Sequence, residues 1–222
     1  MRLFSYPQLF FLLLICSLSS CALFQKKPET HATGYLADRG VVRIWQHTTP
    51  SGFIALDSLF TPFDGTDEVE TTYLWDQQQL IHIDRKSLGA HEDSMTVRFS
   101  RTDGTTSFMQ QTTASTRRPL TLNEIELAKF EAQRLLDVSR DLISGRIELH
   151  QGHWLSSQQV ENCQGGVEYL DLGSRDYNRL TGLSQQSKTY VAWLEAPEGR
   201  QVLLTTSRNL CQQQPDFSQH RG

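Results

Sequence analysis

The chain has 222 residues, with 21 Lys and Arg against 25 Asp and Glu, so its formal charge is −4 at neutral pH. That balance excludes a basic nucleic-acid footprint and a polybasic patch for anionic lipid. It is rich in Gln, Ser and Thr with only seven prolines, which suits an antiparallel β protein rather than a disordered one.

The first element is a targeting segment. Arg2 and the amino terminus form a small positive region, and Leu9–Leu18 is an apolar run of signal-peptide length. About 18 or more apolar residues would be needed for a lasting transmembrane helix. Leu18-Ser19-Ser20-Cys21 resembles the lipobox of bacterial lipoproteins: a branched apolar residue, two small residues, then cysteine. The resemblance implies cleavage after Ser20 and a diacylglyceryl group on the Cys21 thiol, so residues 1–20 are the signal and Cys21 becomes the lipidated first residue. Cys16 competes poorly, because Leu14 and Ile15 stand where small residues are needed. The plainer alternative is an ordinary signal cut after Ala22. Ala22 after the cysteine resembles lipoproteins sent to the outer membrane, which implies the inner leaflet facing the periplasm. The expected partner is then the membrane itself, through the anchor, with an envelope protein or an apolar ligand as a further partner and no nucleic acid.

With Cys16 lost and Cys21 lipidated, Cys163 and Cys211 remain. In an oxidising compartment they are expected to form a disulfide. A two-cysteine metal site or redox pair is the alternative, although there is no Cys-x-x-Cys.

Residues 21–36 read as the lipidated cysteine and a polar, flexible tether. A single β-rich domain is expected over residues 37–211. Val41–His47 alternates, with Val42 and Ile44 on one face and Arg43 and His47 on the other, and Phe53–Phe60 continues as strand. Val69–Trp75 and Leu80–Asp84 read as a hairpin around residues 76–79, its register open by one residue. Met95–Thr102 and Thr105–Gln111 flank Asp103-Gly104, a type I′ signal that predicts Phe99 opposite Phe108. The period then changes. Thr121-Leu122-Asn123-Glu124 matches a capping box, Leu120 and Ile125 a hydrophobic staple, and Gly145 a stop, so the spacing predicts a helix over 122–144. Its apolar stripe comprises Leu122, Ile125, Ala128, Ala132, Leu135, Leu136, Leu142 and Ile143. Strands return at Arg146–Gln151, Val167–Leu172, Tyr190–Glu195 and Gln201–Thr206, and residues 212–222 read as a loose tail. The predicted class is α+β, mainly antiparallel β: a curved sheet or partial barrel with one long helix packed on it.

Candidate chemistry is thin. His150 and His153 point to opposite faces of a regular strand, and only a bulge at Gly152 would bring them together as metal ligands. His82 and Asp84 share a strand face as an acid–base pair would, but Ile81 and Ile83 are expected to take the core and leave them a solvated face. Glu68 and Glu70 read as charge on an exposed face. Gly-x-Ser-x-Gly, phosphate-loop and His-Glu-x-x-His motifs are missing from the sequence. Catalytic residues, metal and cofactor are accordingly none. Trp45, Trp75, Trp154 and Trp193 line a cavity if they converge and fill the core if they do not.

Tyr73-Leu74-Trp75, Val97-Arg98-Phe99, Ser107-Phe108-Met109-Gln110, Glu131-Ala132-Gln133-Arg134-Leu135-Leu136, Gln151-Gly152-His153-Trp154 and Trp193-Leu194-Glu195-Ala196-Pro197 together resemble the uncharacterised YjaH-like family of gamma-proteobacterial proteins. The resemblance covers most of the mature domain and implies no activity, cofactor or catalytic residue. The expectation is a non-catalytic binding or structural role at the periplasmic face of the membrane, the alternative being a periplasmic enzyme with a histidine-containing site.

Overall fold

The computed structural model describes residues 27–217. The signal segment, Cys21 and residues 218–222 lie outside them. Eight antiparallel strands follow one another in chain order as a meander: β1 (Glu29–Ala37), β2 (Gly40–Thr48), β3 (Ile54–Pro62), β4 (Glu68–Asp76), β5 (Gln79–Leu88), β6 (Ser94–Phe99), β7 (Thr106–Thr112) and β8 (Arg117–Arg118). This sheet is curved and open, since β1 and β8 do not pair. After helix α1 (Leu122–Ser144) come β9 (Glu148–Trp154), β10 (Gln159–Asn162), β11 (Val167–Tyr169), helix α2 (Ser174–Ser184), β12 (Tyr190–Ala196) and β13 (Gly199–Thr206). They form a second antiparallel sheet in the order β11-β10-β9-β12-β13. The fold is therefore α+β and mainly antiparallel β, with one long helix packed on a curved sheet.

Strand alternation sets the layers, because residues at period two face opposite sides. From β2 and β3, Val42, Ile44, Ile54 and Leu56 pack beneath α1, against Ile125, Ala128, Ala132, Leu135 and Leu136. Their neighbours Val41, Trp45 and Leu59 pack against Leu149, Tyr190, Ala192 and Leu194 of the second sheet. The outer face of that sheet, with Val191 and Trp193, is covered by Leu180 of α2 and by Leu170 and Leu172. The order is helix, sheet, sheet, helix. Trp75 lies under α1, Trp45 between the sheets, and Trp154 with Trp193 under α2. The tryptophans fill three separate cores and do not converge on one cavity.

Helix α1 spans the predicted residues. Thr121 caps it, its Oγ1 accepting from the Glu124 N–H at 3.3 Å while the Glu124 carboxylate accepts from the Thr121 N–H at 2.7 Å. Leu120 and Ile125 are buried in the same core, as a staple requires. The stripe differs at its ends: Leu122 is 79 % exposed, and Ser139 is buried instead, donating to Gln46 Oε1 at 2.9 Å. Gly145 is right-handed, and the left-handed residue that ends the helix is Arg146, at φ +57°.

The cap predicts an acid response. Arg118, which grips Glu124 at 2.6 and 3.0 Å, and then the Thr121 N–H hold the Glu124 carboxyl down at about 2. A folded value below the unfolded one means the stabilisation is fully present above the ordinary glutamate range and is lost as pH falls towards 2. Melting temperatures of wild type and Glu124→Gln, followed by circular dichroism, should therefore differ most near pH 6 and converge as the pH approaches 2.

Three expectations are corrected. Residues 29–36 are not tether but most of β1, paired with β2 without interruption from Glu29↔Thr48 to Ala37↔Gly40. Its sequence lacks an apolar alternation because burial comes from neighbours: Thr33 is fully buried, and a Cβ on Gly34 would lie 2.6 Å from the Val42 carbonyl oxygen. Phe99 does not oppose Phe108. The β6–β7 loop runs from Ser100 to Thr105, closed by Ser100 N–H donating to Thr105 O at 2.8 Å, and a bulge sets Arg98 opposite Phe108 and Phe99 opposite Thr106. Phe99 is buried, whereas Phe108 is exposed beneath the Arg98 guanidinium, 5.5 Å from its ring centre. The tail is not loose as far as Phe217. Leu210–Gln213 forms a 3-10 helix, Leu210 is buried, and Phe217 stacks on His47 with ring centres 5.1 Å apart.

The open register of β4–β5 is settled by a bulge. Tyr73 opposes Ile83, and both join Trp75 under α1, while Ile81 turns to the other face with Phe53 and Ala55. The tight turn there puts Gln77 at φ +48° and Gln78 at φ +72°, the type I′ geometry placed by sequence at Asp103-Gly104.

Candidate ligand-binding groove and the buried ion cluster

A concavity of about 600 Å³ opens between α1 and the sheet strands β4–β7. Val69, Met95, Leu120 and Ala128 give it an apolar floor, and Leu127 stands at its lip, 58 % exposed. Its polar walls come from both sides: Arg85 on β5, and Glu124 and Glu131 on α1. One end is shaped by the loops after β3 and β5. Asp67 accepts from the backbone N–H groups of Ala90 and His91 at 3.2 and 2.8 Å and meets His91 Nδ1 at 3.0 Å. Those bonds hold the Asp67 carboxyl below its ordinary range. Gly89 lets the loop lie against this carboxylate, since a Cβ there would be 1.8 Å from Asp67 Oδ1 and would force it to shift.

The charges in the groove differ in their engagement. Asp67 is tied to His91, and Glu124 to Arg118 and the helix cap. Arg85 and Glu131 join no salt bridge among the described residues. Both act on the buried Tyr73 hydroxyl: burial, helped by Glu131 and opposed by Arg85, pushes it up to about 12, so it stays protonated. Antiparallel register fixes the outlook of the groove. Glu29 is level with Thr48, Ile54 and Trp75, whereas the loops at the groove end connect the opposite strand ends. The chain that leads back to Cys21 therefore enters at the end of the sheet away from those loops.

A second polar assembly lies between the layers. Arg43 is fully buried, and its guanidinium donates to Gln151 Oε1 at 2.9 Å and Gln213 Oε1 at 2.8 Å, with Glu68 Oε1 at 3.9 Å. Glu68 is 2 % exposed and accepts from Thr61 Oγ1 at 2.6 Å, Arg208 Nη1 at 2.8 Å and Gln213 Nε2 at 2.9 Å. The expectation of an exposed face for Glu68 and Glu70 is thus corrected. Glu70 pairs with Lys86 at 2.7 Å near the surface, but Arg208 and the C-terminal segment cover Glu68. Burial lowers the Arg43 pKa to about 10, and Glu68 acts against that shift, so Arg43 stays charged at neutral pH. Beside this cluster Cys163 and Cys211 form a disulfide, with Cα atoms 5.2 Å apart. Sequence reading missed the ion cluster. Its one local signal was Arg43 inside the apolar run Val41-Val42-Arg43-Ile44-Trp45.

The other candidate residues remain dispersed. β9 pairs through Gly152 with both β10 and β12 without a bulge, so the two histidines stay on opposite faces. His150 stacks on Trp193, while His153 lies against Tyr190 with Glu161 3.8 Å away. Gly152 serves close strand approach, since a Cβ there would lie 2.4 Å from Glu161 O. Asp84 accepts from Thr96 Oγ1 at 2.7 Å in a cross-strand row, and His82 is half-buried next to it on β5. No group of three or more His, Cys, Asp and Glu side chains is gathered to hold a metal among the described residues.

Comparison with known proteins gives a family but no chemistry. The chain is 30 % identical over 202 residues to the uncharacterised protein YjaH of Escherichia coli (strain K12), covering 90 % of this chain and 87 % of that protein. No solved structure matches it. Residues 32–216, from the edge strand through the packed C-terminal segment, match the model of a family described as protein of unknown function DUF1481, and the chain belongs to that family.

Proposed function

We propose that the protein is a lipid-anchored component of the cell envelope with a non-catalytic binding role at the periplasmic face of the membrane, and that the groove under α1 is its binding site. The observation that carries the binding role is the groove itself. Its volume lies in the range of small-molecule sites, about 300–1,000 Å³, and its apolar floor is ringed by a few charges. The envelope address is supported by Leu18-Ser19-Ser20-Cys21 and by the Cys163–Cys211 disulfide, a bond that persists in oxidising compartments.

The address has a direct test. Cells grown with labelled palmitate should label the wild-type protein and not Cys21→Ala, and the variant should leave the outer-membrane fraction. A variant that still labels and stays with the membrane would remove the anchor from this reading.

A further inference from the structure

We propose that the groove between α1 and strands β4–β7 binds a zwitterionic amphiphile, an apolar chain whose head carries both an anionic phosphate and a primary ammonium. The inference rests on the reading of this groove as the binding site and adds the class of ligand.

The argument is one of complementarity. The floor of Val69, Met95, Leu120 and Ala128 offers apolar contact without a polar partner, which selects a hydrocarbon segment. Charges of both signs line the same cavity: Arg85 from the sheet, and the carboxylates Glu131 from the helix and Asp93 from the loop after β5. None of the three spends its charge in a salt bridge among the described residues, although ion pairs are formed close by at Glu70–Lys86 and Arg118–Glu124. The planar guanidinium of Arg85 suits a phosphate, which it can hold by two parallel hydrogen bonds. The Glu131 carboxylate accepts only and suits an ammonium donor. A purely anionic head would satisfy Arg85 and leave Glu131 repelling it, and a purely cationic head would do the reverse. Glu124 adds no competing demand, because Arg118 and Thr121 already occupy it. One turn of α1 separates Ala128 from Glu131, so a chain lying on the floor brings its head to that carboxylate, with Arg85 in the wall of the same cavity.

The test uses the mature lipidated protein in nanodiscs. A photoactivatable long-chain alcohol, neutral at its head, is crosslinked and its sites are mapped by mass spectrometry. Competitors with the same eight-carbon chain stay in water: octanoyl-lysophosphatidylethanolamine, octanoyl-lysophosphatidylglycerol and octylamine. Free phosphoethanolamine serves as the chainless control. The alcohol should label peptides carrying Met95 and Leu127, and the zwitterionic amphiphile should displace it at about tenfold lower concentration than either singly charged one, one charge-assisted hydrogen bond being worth about that factor. Glu131→Gln should reduce its advantage over the anionic competitor to none, and Arg85→Gln its advantage over octylamine. Both side chains are free of ion pairs among the described residues, so neither change breaks a salt bridge. Groove labelling with equal displacement by all three amphiphiles would overturn the ligand class and leave the binding site standing. Equal displacement by free phosphoethanolamine would overturn the amphiphile in favour of a soluble head group. Absence of labelling in the groove would overturn both readings.

Discussion

Glu68→Ala is expected to destabilise the protein by about 3–5 kcal/mol, the cost of leaving a buried charge without its partner. Arg43 is fully buried and keeps its charge, so removing the carboxylate leaves a guanidinium with only neutral acceptors. The same change strips the acceptor from Thr61, Arg208 and Gln213, three groups from different parts of the chain. Glu68→Gln keeps an acceptor oxygen and should cost less. Replacing the pair together, with Arg43→Met and Glu68→Leu, should recover part of the loss, because two buried charges and their desolvation disappear at once. Urea unfolding at neutral pH measures all three. A loss below about 1 kcal/mol for Glu68→Ala, the size of an exposed pair, would show that solvent reaches the cluster.

Removing the disulfide should have a comparable effect. Cys163 and Cys211 are 48 residues apart, and closing a loop of that length stabilises a fold by about 4 kcal/mol in the chain-entropy account. The loss should be felt first at the C-terminal segment, which otherwise depends on Gln151 holding the Leu210 carbonyl and on Gln213 bridging Arg43 and Glu68. Cys163→Ala with Cys211→Ala should lower the denaturation midpoint and speed amide exchange at residues 210–217 before the sheets exchange. Oxidised wild type, denatured and alkylated, should show no free thiol at either position. Equal alkylation with and without reductant would remove the prediction.

Local signals determined the helix and the strand class of this protein. Thr121, Glu124, Leu120 and Ile125 are within a few residues of one another, so the start of α1 follows from hydrogen bonds and contacts that the chain makes with itself, and 122–144 was legible to the residue. The Cys163–Cys211 pair was legible too, because compartment and cysteine count left few alternatives. Tertiary structure alone decided the remainder. β1 is a strand because β2 offers it an edge, and the polar sequence of residues 29–36 carries little of that pairing. The registers of β4–β5 and β6–β7 turn on bulges beside Trp75 and Phe99, which are buried in the core under α1, a packing that no hairpin contains by itself. The groove and the ion cluster are further still from the sequence. Arg85 and Glu131 line one groove only because α1 crosses the sheet, and Arg43 reaches Glu68, Gln151 and Gln213 only because two sheets and the C-terminal segment close over it. Those are long-range contacts between residues with no local reason to be paired, and packing of the layers is what chooses them.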